Sequence, residues 1–331
     1  MRVLVTGSAG FIGYHLCALL LAEGAEVIGL DAHDAYYDPA LKAAREALLR
    51  PHPGFTAIRA RVEEPGVLAD LFATHKPDMV VHLAAQAGVR YSITNPRAYL
   101  ESNLIGTFEL LEAARAHPPR HMLLASTSSA YGANTDMPYR ETDKADAQMS
   151  FYAATKKSTE AMAHSYAHLF GLPVTMFRFF TVYGPWGRPD MAPWLFTSAI
   201  MAGQPIKVFN HGDMRRDFTY VTDLVRAIRL LMDAVPGDTP VSPEDSLSPV
   251  APFRVVNIGN GEPVELLDFI AAIEAATGKQ AIKQMLPMQP GDVPATWADT
   301  TLLSRLTGYA PQTQVRQGIA EYVDWFRSYY L

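Results

Sequence analysis

Residues 2–13, RVLVTGSAGFIG, decide the fold. An apolar run of strand length is followed at once by Gly7, Gly10 and Gly13, and the last of these opens a helical pattern. Glycines at this spacing allow a tight turn, let backbone N–H groups approach a diphosphate, and let the helix pack closely on the strand. The N-terminus of the helix then faces the phosphates. This stretch predicts a dinucleotide-binding strand–loop–helix unit.

The next strand candidate, residues 26–31, ends in an acidic residue, Asp31. A carboxylate at the end of the second strand can accept hydrogen bonds from both ribose hydroxyls of an adenosine. The same carboxylate would repel a 2′-phosphate, so NAD is favoured over NADP as the cofactor.

Apolar runs of strand length alternate with helical patterns through the first half of the chain, which is typical of a parallel sheet covered on both faces. We predict an α/β fold with a Rossmann-type, doubly wound parallel sheet and a smaller C-terminal lobe. The predicted strands are 2–7, 26–31, 55–60, 79–85, 121–126 and 174–179, with shorter ones near 205–209 and 253–258. The predicted helices are 11–23, 65–75, 97–116, 150–170, 192–202, 220–234, 264–277 and 314–329, and residues 236–252 are predicted to be a loop.

Composition narrows the possible functions. The chain has 331 residues, 49% of them hydrophobic, with a net charge of −6 and no dense block of Lys and Arg, so nucleic acid is not expected as a partner. No stretch of about 20 apolar residues indicates a membrane-spanning helix. A single cysteine, Cys17, argues against a disulfide framework and for a reducing, cytoplasmic location. The histidines show no convincing metal spacing, so no metal site is expected.

Tyr152 and Lys156, in YAATK (152–156), lie four residues apart and share one face of the predicted helix. A tyrosine is a weak base at neutral pH because its usual pKa is about 10. A neighbouring ammonium group and a positively charged nicotinamide would favour the phenolate. The pair follows a complete nucleotide-binding half and a hydroxyl-rich stretch, ASTSSAYG (125–132). A catalytic tyrosine and lysine are therefore a stronger interpretation than a surface pair.

Several motifs together resemble the extended short-chain dehydrogenase/reductase family, which includes nucleotide-sugar epimerases and dehydratases. In the first half these are the glycine loop, Asp31, HLAA (82–85), NLIGT (103–107), STSSAYG (126–132) and YAATK. In the second half, four longer motifs resemble those of the branch that acts on UDP-glucuronate: FRFFTVYGPWGRPDM (177–191), VFNHGDMRRDFTYVTD (208–223), NIGNGEPVELLDF (257–269) and MQPGDVPATWADT (288–300).

The resemblance implies NAD-dependent epimerisation of UDP-glucuronate to UDP-galacturonate at C4, through a transient 4-keto intermediate. It implies a catalytic set of Thr127, Tyr152 and Lys156, in which Tyr152 moves the proton of the 4-hydroxyl group. The other implied cofactor contacts are Phe11, Ile12, Val62, Leu83, Ala84 and Ala85. The implied substrate contacts are Ser128, Ser129, Thr181, Arg188, Val208, Arg216 and Asp292.

Ser128 and Ser129 follow the catalytic threonine, where dehydratase relatives carry Asp and Glu and UDP-glucuronate decarboxylase relatives carry Ser and Glu. The absence of an acid favours inversion at C4, and neutral hydroxyls could hold the substrate carboxylate. The two serines could also be simple turn residues. UDP-glucuronate decarboxylase, UDP-glucose/galactose 4-epimerase and a non-catalytic nucleotide-sensing protein of the same fold remain alternatives.

Further expectations concern domains, the partner and one departure from the family pattern. Residues 1–180, with a returning segment near 205–260, are expected to bind NAD, and residues 181–331 mainly to form the UDP-sugar lobe. The resemblance implies a homodimer joined through the helices near 97–116 and 150–170. Arg61 stands where relatives have an adenine-contacting Asp; it could contact Asp31 and change cofactor selectivity, which keeps NADP open.

Overall fold

The structure, a computed structural model, describes residues 1–288 and 293–331. Its strands are β1 (Arg2–Thr6), β2 (Glu26–Leu30), β3 (Phe55–Ile58), β4 (Met79–His82), β5 (His121–Thr127), β6 (Val174–Phe179), β7 (Thr181–Tyr183), β8 (Pro205–Val208), β9 (Arg215–Tyr220), β10 (Phe253–Ile258), β11 (Pro263–Glu265), β12 (Ile282–Met285) and β13 (Ala295–Thr296).

The helices are α1 (Phe11–Ala22), α2 (Pro39–Leu49), α3 (Val67–His75), α4 (Tyr91–Thr94), α5 (Pro96–Tyr99), α6 (Gly106–Ala116), α7 (Phe151–Phe170), α8 (Ala192–Met201), α9 (Val221–Leu231), α10 (Leu266–Thr277), α11 (Thr301–Thr307) and α12 (Val315–Tyr330). A π-helix (Leu100–Ile105) joins α5 to α6, and Ser128–Tyr131 and Phe209–Gly212 form 3₁₀ turns. Within the described residues, every helix is too short or too polar to cross a bilayer.

The main sheet has seven parallel strands in the order β10–β6–β5–β4–β1–β2–β3, which confirms the predicted Rossmann-type fold. Alternate side chains of each strand enter two separate cores. Val3 and Val5 of β1 pack with Leu16 of α1 on one face, whereas Leu4 packs with Leu110 of α6 on the other. The glycine loop and the end of β5 therefore open on the same edge of the sheet, the carboxyl edge.

The second half of the chain builds two smaller sheets and returns once to the main sheet. β9 pairs with β7, β11 and β13, and β8 pairs with β12. β10 is the seventh strand of the main sheet, in parallel register with β6. The third core includes Phe218 of β9 stacked on Phe269 of α10 at 4.0 Å between ring centroids. Residues 236–252 contain neither helix nor strand, as predicted.

Candidate active site

The glycine loop is packed too tightly for side chains. At Gly7 the backbone φ is +73°, and an added Cβ would lie 2.8 Å from the backbone nitrogen of Ala84. At Gly13 an added Cβ would lie 2.0 Å from the carbonyl oxygen of Gly7. Because the glycines carry no side chains, an anion can approach the start of α1, where Phe11 and Ile12 lie. The backbone N–H groups at this helix N-terminus can then bind it.

Asp31 is buried just after β2 with its carboxylate oriented by the backbone. One oxygen accepts the N–H of Ala9 at 3.0 Å and the other accepts the N–H of His33 at 2.8 Å. A carboxylate has about four acceptor positions, so both oxygens can still accept ribose hydroxyls. The loop and this acid together fit the adenosine diphosphate half of a dinucleotide.

Arg61 does not contact Asp31 in this structure. It pairs with Asp34 at 3.0 Å and with Glu63 at 2.5 Å. Its charge is therefore already balanced by two carboxylates, which removes the reason for expecting a changed cofactor selectivity. The next residue, Val62, lies in the segment of chain that connects β3 to α3, and its side chain is buried.

Leu83, Ala84 and Ala85 follow β4 and face the glycine loop. The N–H of Ala84 donates to the Thr6 hydroxyl at 3.1 Å, and the N–H of Leu83 donates to the Thr6 carbonyl at 3.1 Å. This places the segment at the gap between β1 and β4, where the strand order of the sheet reverses and ligands bind in folds of this type.

The predicted catalytic residues lie together at the end of β5 and the first turns of α7. Thr127 is the last residue of β5; its hydroxyl accepts the N–H of Ser129 at 3.2 Å, and it lies close enough to Tyr152 to act on the pKa of that phenol. Lys156 is one helical turn after Tyr152, and its ammonium group donates to the Ala125 carbonyl at 2.9 Å. Because Ser150 caps the helix by accepting the Ala153 N–H at 3.1 Å, α7 begins just before the tyrosine.

The electrostatics of this group are set by burial and by nearby cations. Burial raises the pKa of Tyr152, while the Thr127 hydroxyl and the positive charge of Arg188 act in the opposite direction. Burial lowers the pKa of Lys156 to about 8. The phenol is therefore a proton donor until further positive charge enters the site, and a nicotinium ring is a group that would bring it.

Ser128 and Ser129 line a pocket beside the catalytic helix, together with Ser150 and Ala153. The first hydroxyl of the stretch points elsewhere, since Ser126 donates to Glu160 at 2.6 Å. Glu160 is in turn held by Arg178 through bonds of 2.9 and 2.8 Å. Glu160 is thus bound by Ser126 and Arg178, while Ser128 and Ser129 are among the residues that line the pocket.

Arg188 is close enough to Tyr152 to affect its pKa but is paired within the chain. Its guanidinium group binds Asp190 through bonds of 3.0 and 2.5 Å. Thr181 lies at the start of β7, in register with Phe218 of β9. Thr181 therefore lies where the chain passes from β6 of the main sheet to the smaller sheet that contains β9.

Two of the remaining predicted substrate residues lie on strands of the smaller sheets, and Arg216 bonds to Val293, which lines the same pocket as Ser128 and Ser129. Val208 ends β8, its side chain is buried in the third core, and its carbonyl accepts the Leu286 N–H at 2.8 Å. Arg216 on β9 donates to the Val293 carbonyl at 2.7 Å. Asp292 lies outside the described residues. The roles proposed for all three stay predictions.

Four residues near the site were missed by the sequence analysis. Asn103 in the π-helix donates to Thr155 at 3.0 Å and accepts the Gln86 N–H at 2.9 Å, which ties the catalytic helix to the loop after β4. Tyr99 packs edge-on against Tyr152 with centroids 5.9 Å apart. Tyr36 and Asp190 share a hydrogen bond. Asn103 belongs to the NLIGT motif, so the sequence contained a signal for it. The contact between Tyr36 and Asp190 joins segments that are far apart in the chain, so no local pattern indicates it.

The described part of the chain holds no group of three or more His, Cys, Asp or Glu side chains that could bind a metal ion. His164 and His168 on α7 contact the 236–252 loop instead, at Ser248 and Val250.

Comparison with known proteins agrees with this geometry. The profile of the NAD dependent epimerase/dehydratase family matches residues 3–243. The chain is 52% identical over its full length to a probable UDP-glucuronate 4-epimerase of Rhizobium meliloti, covering 98% of that protein. It is 44% identical over its full length to UDP-glucuronate 4-epimerase 4 of Arabidopsis thaliana, covering 76% of that protein.

Among solved structures, the chain resembles UDP-glucuronic acid 4-epimerase from Bacillus cereus in complex with UDP-glucuronic acid and NAD. The TM-score is 0.89 with 33% identity, and both chains are covered completely. From the sheet order, the glycine loop and these matches, the chain belongs to the NAD-dependent epimerase/dehydratase family.

Proposed function

We propose that this chain catalyses the NAD-dependent epimerisation of UDP-glucuronate at C4, giving UDP-galacturonate. The observation that carries the proposal is a tyrosine, threonine and lysine set beside a pocket wall that presents two serines where related lyases present an acid. The relatives from Rhizobium meliloti and Arabidopsis thaliana and the Bacillus cereus complex support the same substrate and cofactor.

In the proposed mechanism Tyr152 takes the proton of the sugar 4-hydroxyl and later returns it to the 4-keto intermediate. The bound cofactor supplies reversible hydride transfer at C4. Thr127 hydrogen-bonds the 4-oxygen and the phenol, and Lys156 holds the nicotinamide ribose. Inversion follows when the keto sugar turns in the pocket before it is reduced.

The two serines account for retention of CO₂. A 4-keto uronic acid is a β-keto acid and loses CO₂ when its carboxylate turns perpendicular to the ketone plane. Ser128 and Ser129, together with Thr181, are proposed to hold the carboxylate by neutral hydrogen bonds. Arg188 and Arg216 are proposed to bind the diphosphate or carboxylate, Val208 to lie beside uracil, and Asp292 to bind the uridine ribose.

The proposal extends to organisation and partner. Residues 1–180, with the returning segment near 205–260, are assigned to NAD binding, and residues 181–331 mainly to UDP-sugar binding. A homodimer is proposed through the π-helix, α6 and α7, where Ile105 and Phe108 are exposed. A cytoplasmic location is proposed from the single, buried Cys17.

The test is to incubate the purified protein with UDP-glucuronate, without added cofactor, and to identify the product by NMR while CO₂ is measured. We expect UDP-galacturonate with little CO₂. Replacing Tyr152 by Phe should lower kcat by about 10²- to 10⁴-fold, the usual contribution of a positioned acid–base group.

Each other outcome would contradict part of the proposal. A UDP-pentose with CO₂ would identify a decarboxylase, and turnover of UDP-glucose alone would identify a hexose epimerase. Binding of NAD and nucleotide sugar without turnover would favour a sensing protein. An unchanged kcat in Tyr152→Phe would refute the role given to that residue.

A further inference from the structure

The segment between β2 and α2, residues 31–38, is linked to the turn that carries Arg188. The Tyr36 hydroxyl donates to an Asp190 carboxylate oxygen at 3.0 Å. Arg188 binds the same carboxylate through two bonds, and its guanidinium lies 5.7 Å from the centre of the Tyr36 ring. The three side chains form one connected group.

The position of this segment relative to the main sheet shows which region of the protein the contact spans. Tyr36 also packs against Tyr91, which follows the loop after β4, with ring centroids 4.8 Å apart. In the main sheet β1 lies between β2 and β4. The contact between Tyr36 and Tyr91 therefore joins the two segments that flank the end of β1 and the glycine loop.

The segment is anchored on the glycine loop at its base. Asp31 accepts the Ala9 N–H, and Arg45 of α2 donates to the Ala9 carbonyl at 3.1 Å. Arg45 also donates to the Trp186 carbonyl at 2.6 Å, in the same turn region as Arg188. Two links thus join the β2–α2 side of the crevice to the 184–190 region: one through Arg45, and one through Tyr36 and Asp190.

We infer that the hydrogen bond between Tyr36 and Asp190 is a clasp across the cofactor crevice, which slows the release of NAD. This inference rests on the proposed function only in that NAD occupies the crevice. Tyr36 and Asp190 act by enclosing the cofactor and take no part in proton or hydride transfer.

The chemistry of the clasp favours a persistent contact. Burial and the Asp190 carboxylate raise the pKa of Tyr36 to about 12, so the phenol stays a donor at neutral pH. A hydrogen bond to a charged group is stronger than one between neutral groups. The tyrosine ring remains packed between Tyr91 and Arg188, which keeps the hydroxyl in place.

The test measures the release of adenine-labelled NAD from the holoprotein during a chase with excess unlabelled NAD, without substrate. Tyr36→Phe removes only the hydroxyl, and we expect release to become about tenfold to a hundredfold faster. Asp190→Asn should also speed release. The double variant should be no faster than Asp190→Asn alone, because that substitution already weakens the Tyr36 contact and also removes the charge with which Arg188 pairs.

Tyr309→Phe is the matched control, since Tyr309 donates to the Asp223 carboxylate at 2.8 Å away from the crevice. It should release NAD at the wild-type rate, and far-ultraviolet circular dichroism of all variants should match the wild type. Wild-type release from Tyr36→Phe, an effect equal to that of the control, or additive effects in the double variant would overturn the clasp. Failure of the wild-type protein to retain labelled NAD would overturn the proposed cofactor as well.

Discussion

At the residue scale, the side chains at the end of β5 and just after it bear on whether the 4-keto intermediate keeps or loses CO₂. Thr127 acts on the pKa of Tyr152, Ser126 binds the structural acid Glu160, and Ser128 and Ser129 line the pocket. One stretch therefore supplies a catalytic group, a structural contact and two neutral pocket hydroxyls. Its lack of an acid is the local feature that we connect with retention of the substrate carboxylate.

Ser129→Glu should shift the products of UDP-glucuronate towards the pentose and CO₂. A glutamate at this position would repel the substrate carboxylate at short range in a site of low dielectric, and so turn it out of the ketone plane. The measurement is the ratio of CO₂ to UDP-galacturonate.

Ser129→Gln is the matched control for that substitution, because it adds the same bulk without the charge. It should lower the rate without raising the CO₂ ratio. An equal ratio in Ser129→Glu and the wild-type protein would reject the role proposed for Ser129 in holding the carboxylate.

At the element scale, α7 is fixed to the main sheet by a buried ion pair. Glu160 and Arg178 of β6 are 3% and 2% exposed at their side chains and form two hydrogen bonds. Burial alone would raise the pKa of Glu160, but the hydrogen bonds and charge of Arg178 outweigh it and lower the pKa to about 2. Because α7 also carries Tyr152 and Lys156, this pair supports the catalytic residues.

Glu160→Gln should lower the free energy of unfolding by about 3–5 kcal/mol at neutral pH, because it leaves Arg178 buried without a counter-charge. The folded-state pKa is lower than the unfolded one, so the stabilisation is complete above about pH 4.5 and is lost as the pH falls towards about 2. Urea unfolding of both proteins over this range should show the difference shrinking with acid.

Glu26→Gln is the control for the buried pair, since Glu26 pairs with Arg2 on the surface. It should cost at most about 1 kcal/mol. A Glu160→Gln variant as stable as Glu26→Gln, or a stability difference independent of pH, would contradict the importance given to the ion pair.

The elements that sequence patterns predicted are those with continuous apolar runs. β1 to β6 and the long helices α1 and α7 were expected close to their observed bounds. Helix α2 was missed because Lys42, Arg45 and Glu46 are buried on it and interrupt its apolar pattern, although Asp38 at the N-cap and Pro39 after it are helix-start signals.

Strand β9 was missed for a related reason. Its sequence, RRDFTY, contains three charged residues, yet Asp217 is completely buried. The backbone N–H groups of Asn260 and Gly261 satisfy its carboxylate at 2.6 and 2.9 Å. These partners lie far from Asp217 in the chain, so no local sequence pattern could indicate the hydrogen bonds. The same holds for Tyr36 with Asp190.

At the scale of the whole molecule, the catalytic residues could be predicted because each lies in a local motif, whereas the enclosure of the site could not. Tyr152 and Lys156 are one helical turn apart, but Arg45 reaches Trp186 only in the folded chain.

The exposed apolar side chains near α6 also have to be considered at the scale of the whole molecule. Ile105 and Phe108 are 38% and 45% exposed on the helices proposed to join two copies.

Replacing both Ile105 and Phe108 by Lys should convert the proposed dimer to a monomer, because two ammonium groups from each subunit would have to be buried in its interface. Sedimentation velocity of the wild-type and variant proteins measures this. Leu195→Lys is the control, since Leu195 is 48% exposed on α8, and it should stay dimeric. A monomeric wild-type protein, or a dimer that survives the double substitution, would contradict the proposed interface.

The late return of β10 to the main sheet has a consequence for synthesis. On the ribosome, β6 emerges long before its outer neighbour, and the chain between them contributes β7, β8 and β9 to other sheets. Until residue 258 has left the exit tunnel, the outer edge of β6 offers unpaired backbone groups to any extended chain nearby. This edge stays open until most of the chain has been made, so a chaperone that covers it during that interval would protect the nascent protein from aggregation.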